Sequence, residues 1–406
     1  MEFERYIIKT AEEVATTFRA MAVCGPRQVG KTWLLKHLVA KLGGYETVSL
    51  DDESLREQAR NDPKLFLDLH PAPLFIDEIQ SVPELFSALK MRLDASDARG
   101  QYLMTGSQQF KMMKGAKESL AGRVGILRLA GLSKSEIEGR PPSAPFLPVL
   151  DVKRFGHAGG WDIRTVYEAV VKGGYPECHA VPTINVRRYF SSYIETYIER
   201  DIREMVDVSS IAQFQTFMRV CAARTGQLLN YADLARDAAI SVPTARTWLS
   251  MLETSYIVYR LRPDFNNFSK RLIKSPKLYF HDTGLACSLL EIKDAKQVES
   301  HYLKGGLFEN YVINLFMKKA INKGETPQLS FWRDNKGNEV DLLETIEGKQ
   351  FAYEIKSGKT YSSDYANSLK YWAGLSSADA EHCNIVYGGE QKLKMKEFNV
   401  LTINDL

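Results

Sequence analysis

A short glycine-containing stretch near the N-terminus has the residue types and spacing that bind phosphate groups. It fits the pattern G-x-x-x-x-G-K-[ST]. Its members are Gly25, Pro26, Arg27, Gln28, Val29, Gly30, Lys31 and Thr32. Two glycines let successive backbone N–H groups point inward as an anion site, and a helix predicted over residues 32–42 adds its N-terminal dipole. We expect Lys31 to bind the β- and γ-phosphates of ATP, and the Thr32 hydroxyl to bind Mg²⁺.

A pair of acids forms a second candidate site for chemistry. Asp77 and Glu78 directly follow an apolar segment over residues 72–76. In a nucleotide-hydrolysing site, Asp77 would hold Mg²⁺ directly or through water, and Glu78 would orient or deprotonate the attacking water. Two acids at the end of a strand are also common at a solvated sheet edge. The functional interpretation therefore depends on the position of the pair after the phosphate-binding pattern.

Further polar positions could complete this site. A strand predicted over residues 101–107 ends near Thr105, Ser107 and Gln108, where a sensor of the γ-phosphate belongs in a parallel sheet. A Thr-Gly-Ser turn without function is the alternative. Arg123 follows the segment Ser-Leu-Ala-Gly. It could stabilise transition-state charge in the site of a neighbouring subunit, although a lone arginine is more often a surface charge.

The last third of the chain contains carboxylates and a lysine in an order typical of many metal-dependent nucleases. Asp341 is followed by Glu354 and then by Lys356, and the two-residue period of a strand places the latter two on one face. Asp341 and Glu354 could ligate Mg²⁺, while Lys356 could position or activate water. Glu309, on a predicted helix, could be a remote fourth member. The motif is short, and a fold does not imply activity.

The bulk composition is that of an ordinary globular protein. The 406 residues suffice for two or three domains, and 44% of them are apolar and 25% charged. The net charge of +3 is too small to argue for nucleic-acid binding by itself. Five scattered cysteines without zinc spacing predict reduced core residues in a cytoplasmic protein. No apolar run reaches the roughly 18 residues of a membrane span, so we expect no membrane partner.

The middle of the chain predicts mainly helices. A long helix is expected over residues 185–206, where Tyr189, Tyr193 and Tyr197 would form one packing stripe. A Gly-Gly-Tyr-Pro-Glu segment that begins at Gly173 predicts a turn before a proline stop, and no chemistry follows from it.

Residues 228–262 predict a helix, a tight turn, a capped helix and a hairpin, which together match a winged helix-turn-helix. The second helix would expose Thr244, Arg246 and Thr247, which are able to reach base edges or phosphates. This helix is only weakly basic. Winged helices also serve as lids and oligomer contacts, so both roles stay open.

Taken together, these motifs resemble the AAA-type ATPases of bacteria and archaea. The resemblance includes the phosphate-binding pattern, the strand before Asp77 and Glu78, the Thr-Gly-Ser segment and the segment that ends in Arg123. More narrowly, the chain resembles the subgroup that carries a C-terminal domain of unassigned function. This resemblance covers essentially the whole chain. It implies a ring or other homo-oligomer, because Arg123 would act across subunits as a finger or sensor. The last part of the chain looks like the restriction-endonuclease-like fold.

We therefore predict an α/β protein in three parts. These are a P-loop ATPase domain with a parallel sheet (1–140), a helical region with a winged helix-turn-helix (150–300), and an α/β restriction-endonuclease-like domain (301–406). The first functional hypothesis is an Mg²⁺-dependent ATPase that couples hydrolysis to DNA binding or processing. The alternative is a nucleotide-switched oligomeric scaffold or signalling ATPase whose last domain is an inactive binding module.

Overall fold

The computed structural model describes residues 3–106, 120–140, 160–198, 210–264 and 274–406. The predicted sensor positions Ser107 and Gln108 lie outside these ranges, as do residues 199–206 of the predicted long helix. Within the described ranges, no helix is both long enough and apolar enough to cross a membrane. All five cysteines are buried and free of disulfides, as the sequence predicted.

A parallel sheet with flanking helices forms the N-terminal region. The strands are β1 (Ala20–Cys24), β2 (Glu46–Ser49), β3 (Leu74–Asp77), β4 (Tyr102–Gly106) and β5 (Val124–Arg128). The helices are α1 (Ile8–Thr17), α2 (Lys31–Leu42), α3 (Glu53–Asn61), α4 (Pro63–Leu69), α5 (Leu85–Asp94) and α6 (Lys134–Ile137). The strand order is β2–β3–β4–β1–β5, and every pair is parallel. The carboxyl ends of β1, β3 and β4 therefore meet at one edge of the sheet.

Both faces of this sheet are covered, which explains why β1, β3 and β4 are apolar through most of their length. Met21 and Val23 of β1 belong to one buried cluster, which also contains Leu34 and Leu38 of α2. Ala22, between them, belongs to a second cluster on the opposite face. This alternation is the two-residue period of a strand between two layers of helices.

The middle region is mainly helical. Its helices are α7 (Ile163–Lys172), α8 (Pro176–Ala180), α9 (Val186–Tyr193), α10 (Ile211–Ala222), α11 (Tyr231–Asp237), α12 (Val242–Thr254), α13 (Thr283–Leu289) and α14 (Ala295–Ser300). The strands β6 (Val258–Leu261) and β7 (Lys277–Phe280) pair in antiparallel fashion. A π-helical turn, Ile194–Ile198, follows α9 and interrupts the predicted long helix. The elements α11, α12 and β6 lie where a winged helix-turn-helix was expected, and that assignment stays a prediction.

A mixed sheet between two helices forms the C-terminal region. Its elements are α15 (Lys304–Asn322), β8 (Leu329–Arg333), β9 (Glu339–Ile346), β10 (Lys349–Lys356), α16 (Asn367–Ser376), β11 (Cys383–Tyr387), β12 (Leu393–Lys394) and β13 (Asn399–Thr402). The strand order is β12–β13–β11–β10–β9–β8. Phe316 of α15 contacts Tyr353 on one face, at 4.5 Å between ring centroids. On the other face, Leu369 and Trp372 of α16 pack with Trp332 of β8.

The three predicted regions share one hydrophobic core. A single cluster of buried residues includes Ile7 in the first region, Trp248 in the middle region, and Phe316 and Leu401 in the last. Residues 141–149, between the first two predicted parts, lie outside the described ranges. Because this cluster is continuous, the described parts of the three regions pack against one another.

Candidate functional site

The phosphate-binding pattern forms the loop between β1 and α2. Gly30 has a φ of +92° at the N-cap of α2, a left-handed conformation that favours glycine. Gly25 lies against the segment after β5, where an added Cβ would be 2.1 Å from the carbonyl oxygen of Leu129. The first glycine is therefore required by close packing and the second by backbone conformation.

Lys31 occupies the first position of α2 and is only 5% exposed. Its Nζ donates hydrogen bonds to the carbonyl oxygens of Gly25 at 3.1 Å and Pro26 at 2.7 Å. Burial lowers the pKa of the ammonium to about 8, against the opposing charge of Glu78. Because both hydrogen-bond acceptors are neutral carbonyls, the ammonium keeps a positive charge that phosphate oxygens could bind.

Three side chains from three elements meet beside this loop. Thr32 Oγ1 donates to Asp77, at 2.9 Å from Oδ1 and 3.2 Å from Oδ2. The hydroxyl of Thr105 also donates to Asp77 Oδ1. Burial raises the pKa of Asp77, and the two hydroxyl donors oppose that rise. Hydroxyl and carboxylate oxygens are ligands that Mg²⁺ prefers, so Thr32 and Asp77 fit the predicted metal.

Glu78 follows Asp77 with a φ of +55°, which turns the chain out of β3. Its N–H donates to Thr105 Oγ1 at 3.0 Å, and its carboxylate accepts a hydrogen bond from the Gln80 side chain. Thr105 thus contacts both acids at once. This contact follows from the position of β4 between β1 and β3, which could not be read from the sequence.

Arg123 lies at the opposite end of the strands from Lys31. It directly precedes β5, whose Val124 pairs with Ala20 at the start of β1. Its guanidinium forms an ion pair with Asp94. Since β1 separates this end of the sheet from the loop by roughly 15 Å, Arg123 does not reach the loop of its own chain. Its role in a neighbouring subunit stays a prediction.

A cavity of about 580 Å³ lies beside the phosphate-binding loop. It is lined by Phe3, Arg5, Gln28, Val29, Gly30, Trp33, Leu132, Pro176, Glu177, Ala180 and Tyr189. The Tyr189 hydroxyl donates to Gln28 Oε1 at 2.8 Å, which ties the middle region to the loop. A volume of this size fits a nucleotide-sized ligand. Sequence reasoning missed the cavity, and the Gly-Gly-Tyr-Pro-Glu segment was the one signal that could have indicated it.

The two glycines of that segment occupy a tightly packed junction. A Cβ on Gly173 would lie 2.2 Å from Asp282 Oδ1, and one on Gly174 would lie 2.5 Å from Lys318 Nζ. The Gly174 carbonyl accepts a hydrogen bond from the Leu132 N–H at 2.6 Å. The Gly174 N–H donates to Asp282 Oδ2 at 2.7 Å. The segment therefore joins the chain after β5, the middle region and α15 at a point next to the cavity.

In the C-terminal region, the strand pair β9–β10 brings together three of the predicted site residues. Lys356 Nζ donates to Glu354 Oε1 and lies 3.6 Å from Asp341 Oδ2. The Ile355 N–H donates to the same Asp341 oxygen at 2.8 Å. Glu309 approaches from α15, on the face of the sheet that this helix covers.

A lysine that the sequence analysis did not consider lies among these carboxylates. The side chain of Lys277, from β7, is 3% exposed. Its Nζ lies 2.8 Å from Glu309 Oε1, 2.5 Å from Glu339 Oε1 and 3.6 Å from Asp341 Oδ1. Tyr279, two residues along the same strand, donates its hydroxyl to Glu309. The two-residue period of β7 is the signal that places Lys277 and Tyr279 on one face.

The pKa values in this cluster follow from burial and from these pairs. Burial opposes the charge of Lys277, but the three carboxylates raise the pKa of its ammonium. Burial raises the pKa of Glu309 to about 7, with Lys277 opposing. Burial and the charge of Asp341 raise the pKa of Glu354 to about 9. Burial also disfavours the charged form of Asp341, yet Lys277 and Lys356 hold the pKa of that carboxyl below its usual value.

The cluster does not fit the predicted Mg²⁺ in this arrangement. Across the described ranges, no three His, Cys, Asp or Glu side chains are placed to hold a metal ion together. The carboxylates of Asp341 and Glu354 instead face the ammonium groups of Lys277 and Lys356. The structure thus brings the predicted residues together, but it also places lysine ammonium groups among their carboxylates.

Family models match most of the chain in three consecutive parts. An AAA domain matches residues 17–138. A domain of unknown function, DUF8612, matches residues 163–296, and another, DUF4143, matches residues 304–406. The first match agrees with the α/β fold of the loop-bearing sheet and identifies this region as an AAA domain. The other two carry no functional description.

Three solved structures show weaker similarity. The Walker-type ATPase PABY2304 of Pyrococcus abyssi is 14% identical with a TM-score of 0.46, and the match covers 71% of this chain and 96% of that one. A point variant of RuvB from Thermotoga maritima is 15% identical with a TM-score of 0.29, covering 63% and 86%. AMPPCP-bound DnaA from Aquifex aeolicus is 14% identical with a TM-score of 0.28, covering 61% and 86%.

Two mycobacterial proteins are similar over nearly the whole chain. They are the uncharacterized proteins Mb2031c of Mycobacterium bovis and Rv2008c of Mycobacterium tuberculosis. Each is 30% identical over 380 residues, which cover 92% of this chain and 77% of the relative. The chain therefore belongs to the same family as Mb2031c and Rv2008c, with an AAA domain as its first part.

Proposed function

We propose that the protein is an Mg²⁺-dependent ATPase. One observation carries the proposal: Lys31, Thr32, Asp77 and Thr105 meet at one edge of a parallel sheet, directly beside the glycine loop. The AAA-domain match over the same residues supports it. The cavity beside the loop supplies room for the rest of a nucleotide.

Each residue of the site has a task that its geometry suggests. Lys31 exchanges the carbonyl oxygens of Gly25 and Pro26 for phosphate oxygens, while the N-terminus of α2 contributes N–H donors. Thr32 and Asp77 would hold Mg²⁺, which neutralises phosphate charge when bound. Glu78 orients the attacking water or accepts its proton.

Thr105 is the positioning residue of this arrangement. Its hydroxyl donates to Asp77, and its oxygen accepts the N–H of Glu78. It therefore fixes the metal-binding carboxylate relative to the residue that handles water. The nucleotide base would lie in the neighbouring cavity, against Phe3, Trp33 and Tyr189.

Steady-state ATP hydrolysis tests the proposal. The wild type should release phosphate from ATP only when Mg²⁺ is present, and Lys31→Ala should abolish the release. Lys36→Ala, which removes an exposed lysine on the same helix, is the matched control and should behave as the wild type. Equal hydrolysis by wild type and Lys31→Ala would exclude the assigned site.

We consider two functions that ATP hydrolysis would serve. The DNA-processing hypothesis couples ATP to cleavage or binding of DNA through the last region and the predicted winged helix. Its alternative, a nucleotide-switched homo-oligomer with an inactive binding module, is favoured by one observation. The carboxylates that a nuclease would use for metal are paired with lysines.

A single experiment separates the two outputs. Hydrolysis is measured with and without single- and double-stranded DNA, the DNA is inspected on a gel, and oligomer size is measured in the apo, ADP and ATP states. Stimulation by DNA together with cleavage supports DNA processing. A nucleotide-dependent change of size with intact DNA supports the switched assembly, in which Arg123 would act in trans.

A further inference from the structure

We infer that Lys277 is the resident cation of the C-terminal carboxylate cluster, and that this cluster binds the ammonium of its own chain in place of a divalent metal. The inference does not depend on ATP hydrolysis. It rests on the three carboxylate oxygens around one buried ammonium, contributed by Glu309, Glu339 and Asp341. Those three residues come from α15 and β9, whereas the lysine comes from a separate region.

The strand that carries Lys277 is held firmly in place. The fully buried Asn310 of α15 pairs with the backbone of Phe280, accepting from its N–H at 2.9 Å and donating to its carbonyl at 2.8 Å. Asn314, one turn later, donates to the same carbonyl at 3.0 Å. Lys277 therefore enters the cluster from a strand that is hydrogen-bonded to the helix bearing Glu309. These hydrogen bonds fix the position of Lys277 relative to Glu309.

A second connection fixes the same strand pair from its other end. The chain after β6 runs beside β8, where Phe331 donates its N–H to the Arg262 carbonyl at 3.1 Å. The Asp264 N–H donates to the Phe331 carbonyl at 2.7 Å. The aromatic ring of Phe331 lies near the Lys277 ammonium, with 5.6 Å between Nζ and the ring centroid. The ammonium thus has carboxylates and an aromatic ring as neighbours, which is a favourable environment for a cation.

Each of the four acidic side chains in the cluster, those of Glu309, Glu339, Asp341 and Glu354, lies next to a protein cation. Lys277 serves three of them, while Arg333 also binds Glu339 at 2.6 Å. Lys356 binds Glu354 and faces Asp341. A divalent ion placed among these oxygens would lie within a few ångströms of two ammonium groups. Since like charges at that separation repel strongly in a buried site, metal and Lys277 exclude each other.

The consequence is an assignment for the last region. Its acidic cluster connects it to the middle region through one lysine, so these carboxylates do not serve metal-dependent cleavage. Removal of the lysine would leave three neighbouring carboxylates without their shared cation. In their present positions these carboxylates do not form a metal site, but carboxylate oxygens are the ligands that divalent ions such as Mn²⁺ prefer, so small movements would let them bind one. The cluster is then a cation site whose natural occupant is an ammonium.

Mn²⁺ binding to the full-length chain tests the inference directly. The measurement uses electron paramagnetic resonance without nucleotide, in a Thr32→Ala background that removes the ATP-site ligand. We expect the same amount of bound Mn²⁺ in Thr32→Ala and in Thr32→Ala/Asp341→Asn. Bound Mn²⁺ that disappears with Asp341→Asn would overturn the inference, and so would Mn²⁺-dependent DNA cleavage that depends on Asp341.

A complementary variant tests the occupant itself. Lys277→Met should bind Mn²⁺ at least about tenfold more tightly than the wild type, and Mn²⁺ should raise its thermal midpoint. Lys274→Met, which removes an exposed lysine three residues earlier, should leave both quantities as in the wild type. A folded Lys277→Met that gains no Mn²⁺ binding would contradict the inference. If this variant does not fold, the comparison of bound Mn²⁺ in Thr32→Ala and Thr32→Ala/Asp341→Asn still tests the inference.

Discussion

Two buried lysines, Lys31 in the phosphate-binding loop and Lys277 in the C-terminal cluster, have opposite surroundings. The ammonium of Lys31 donates to two neutral carbonyls, and burial lowers its pKa to about 8. The ammonium of Lys277 faces three carboxylates, and these raise its pKa despite similar burial. A buried cation without an anionic partner is costly, and a buried cation with several is held in place.

The difference separates a site that awaits a ligand from one that is already occupied. Lys31 gains a hydrogen-bonded anion when phosphate arrives, so part of its stabilisation is coupled to binding. Lys277 has its partners in the folded chain, and a ligand would have to displace them. Burial alone does not distinguish the two lysines, but the charges of their neighbours do.

The largest expected effect concerns the loop site. Glu78→Gln should lower ATP turnover by about 100- to 1,000-fold, because it removes the group that handles the attacking water. Nucleotide affinity should stay close to the wild-type value, since Lys31 and the loop are intact. Phosphate release and binding of a fluorescent ATP analogue measure the two quantities. A parallel loss of affinity would mean that Glu78 shapes the loop instead.

The second prediction compares the stabilities of variants at the two lysines. Lys277→Ala should lower the free energy of unfolding by about 3 kcal/mol, because it leaves buried carboxylates without their cation. Lys31→Ala should change it by less than about 1 kcal/mol, because its hydrogen bonds go to neutral backbone carbonyls and no ion pair is broken among the described residues. Urea denaturation of both variants beside the wild type measures the difference. Equal losses of unfolding free energy in the two variants would contradict the difference between the two lysines.

The third prediction extends the comparison to a buried histidine. Burial, aided by Arg128 and Lys318, lowers the pKa of His281 to about 3. Its unfolded value is about 6.5, so between roughly pH 6.5 and pH 3 the unfolded chain binds the extra proton. Stability should therefore fall on acidification below about pH 6.5, by up to about 1.4 kcal/mol per pH unit from this group.

The matched variant for that measurement is His281→Phe, which keeps a ring beside Tyr256 and Tyr259. Urea midpoints of wild type and variant between about pH 5 and pH 7 should show a shallower acid loss in the variant. Identical slopes in the two proteins would contradict the prediction, because they would show that His281 has the same pKa in the folded and unfolded chains.

The smallest expected effects come from two hydroxyl groups that each donate to a buried carboxylate. Tyr279→Phe should lower the free energy of unfolding by about 1 kcal/mol without changing hydrolysis. Thr105→Val should slow hydrolysis by about tenfold, because Asp77 and Glu78 lose their common partner. If Tyr279→Phe slowed ATP hydrolysis instead, the C-terminal cluster and the loop site would be coupled.

The loop site could be predicted because its information is local. The spacing from Gly25 to Thr32 determines a loop and a helix start, and a strand ending in Asp77 needs only its own hydrophobic run. The strand order could not be predicted, so the contact of Thr105 with both acids was one of several arrangements that the sequence allowed. The π-helical turn after Tyr193 also breaks a helical period that the sequence continues without interruption.

The C-terminal cluster was only half predictable for a physical reason. Asp341, Glu354 and Lys356 lie on adjacent strands, so strand periodicity brings them together. Lys277 reaches the cluster through the packing of β7 on α15, a contact between distant parts of the chain that no local pattern encodes. The same holds for Gly173 and Gly174, whose requirement for small size depends on Asp282 and Lys318.

The helix α15 has contacts at both ends that make its length matter. Near its start it supplies Glu309 to Lys277, and near its end Lys318 Nζ donates to the Leu132 carbonyl at 2.8 Å. One residue inserted between these points would rotate everything after it by about 100° and advance it by about 1.5 Å. Lys318 would then no longer point towards the Leu132 carbonyl. The spacing between the two contacts on this helix is therefore fixed, and relatives that keep both contacts should keep the same number of residues between the two positions.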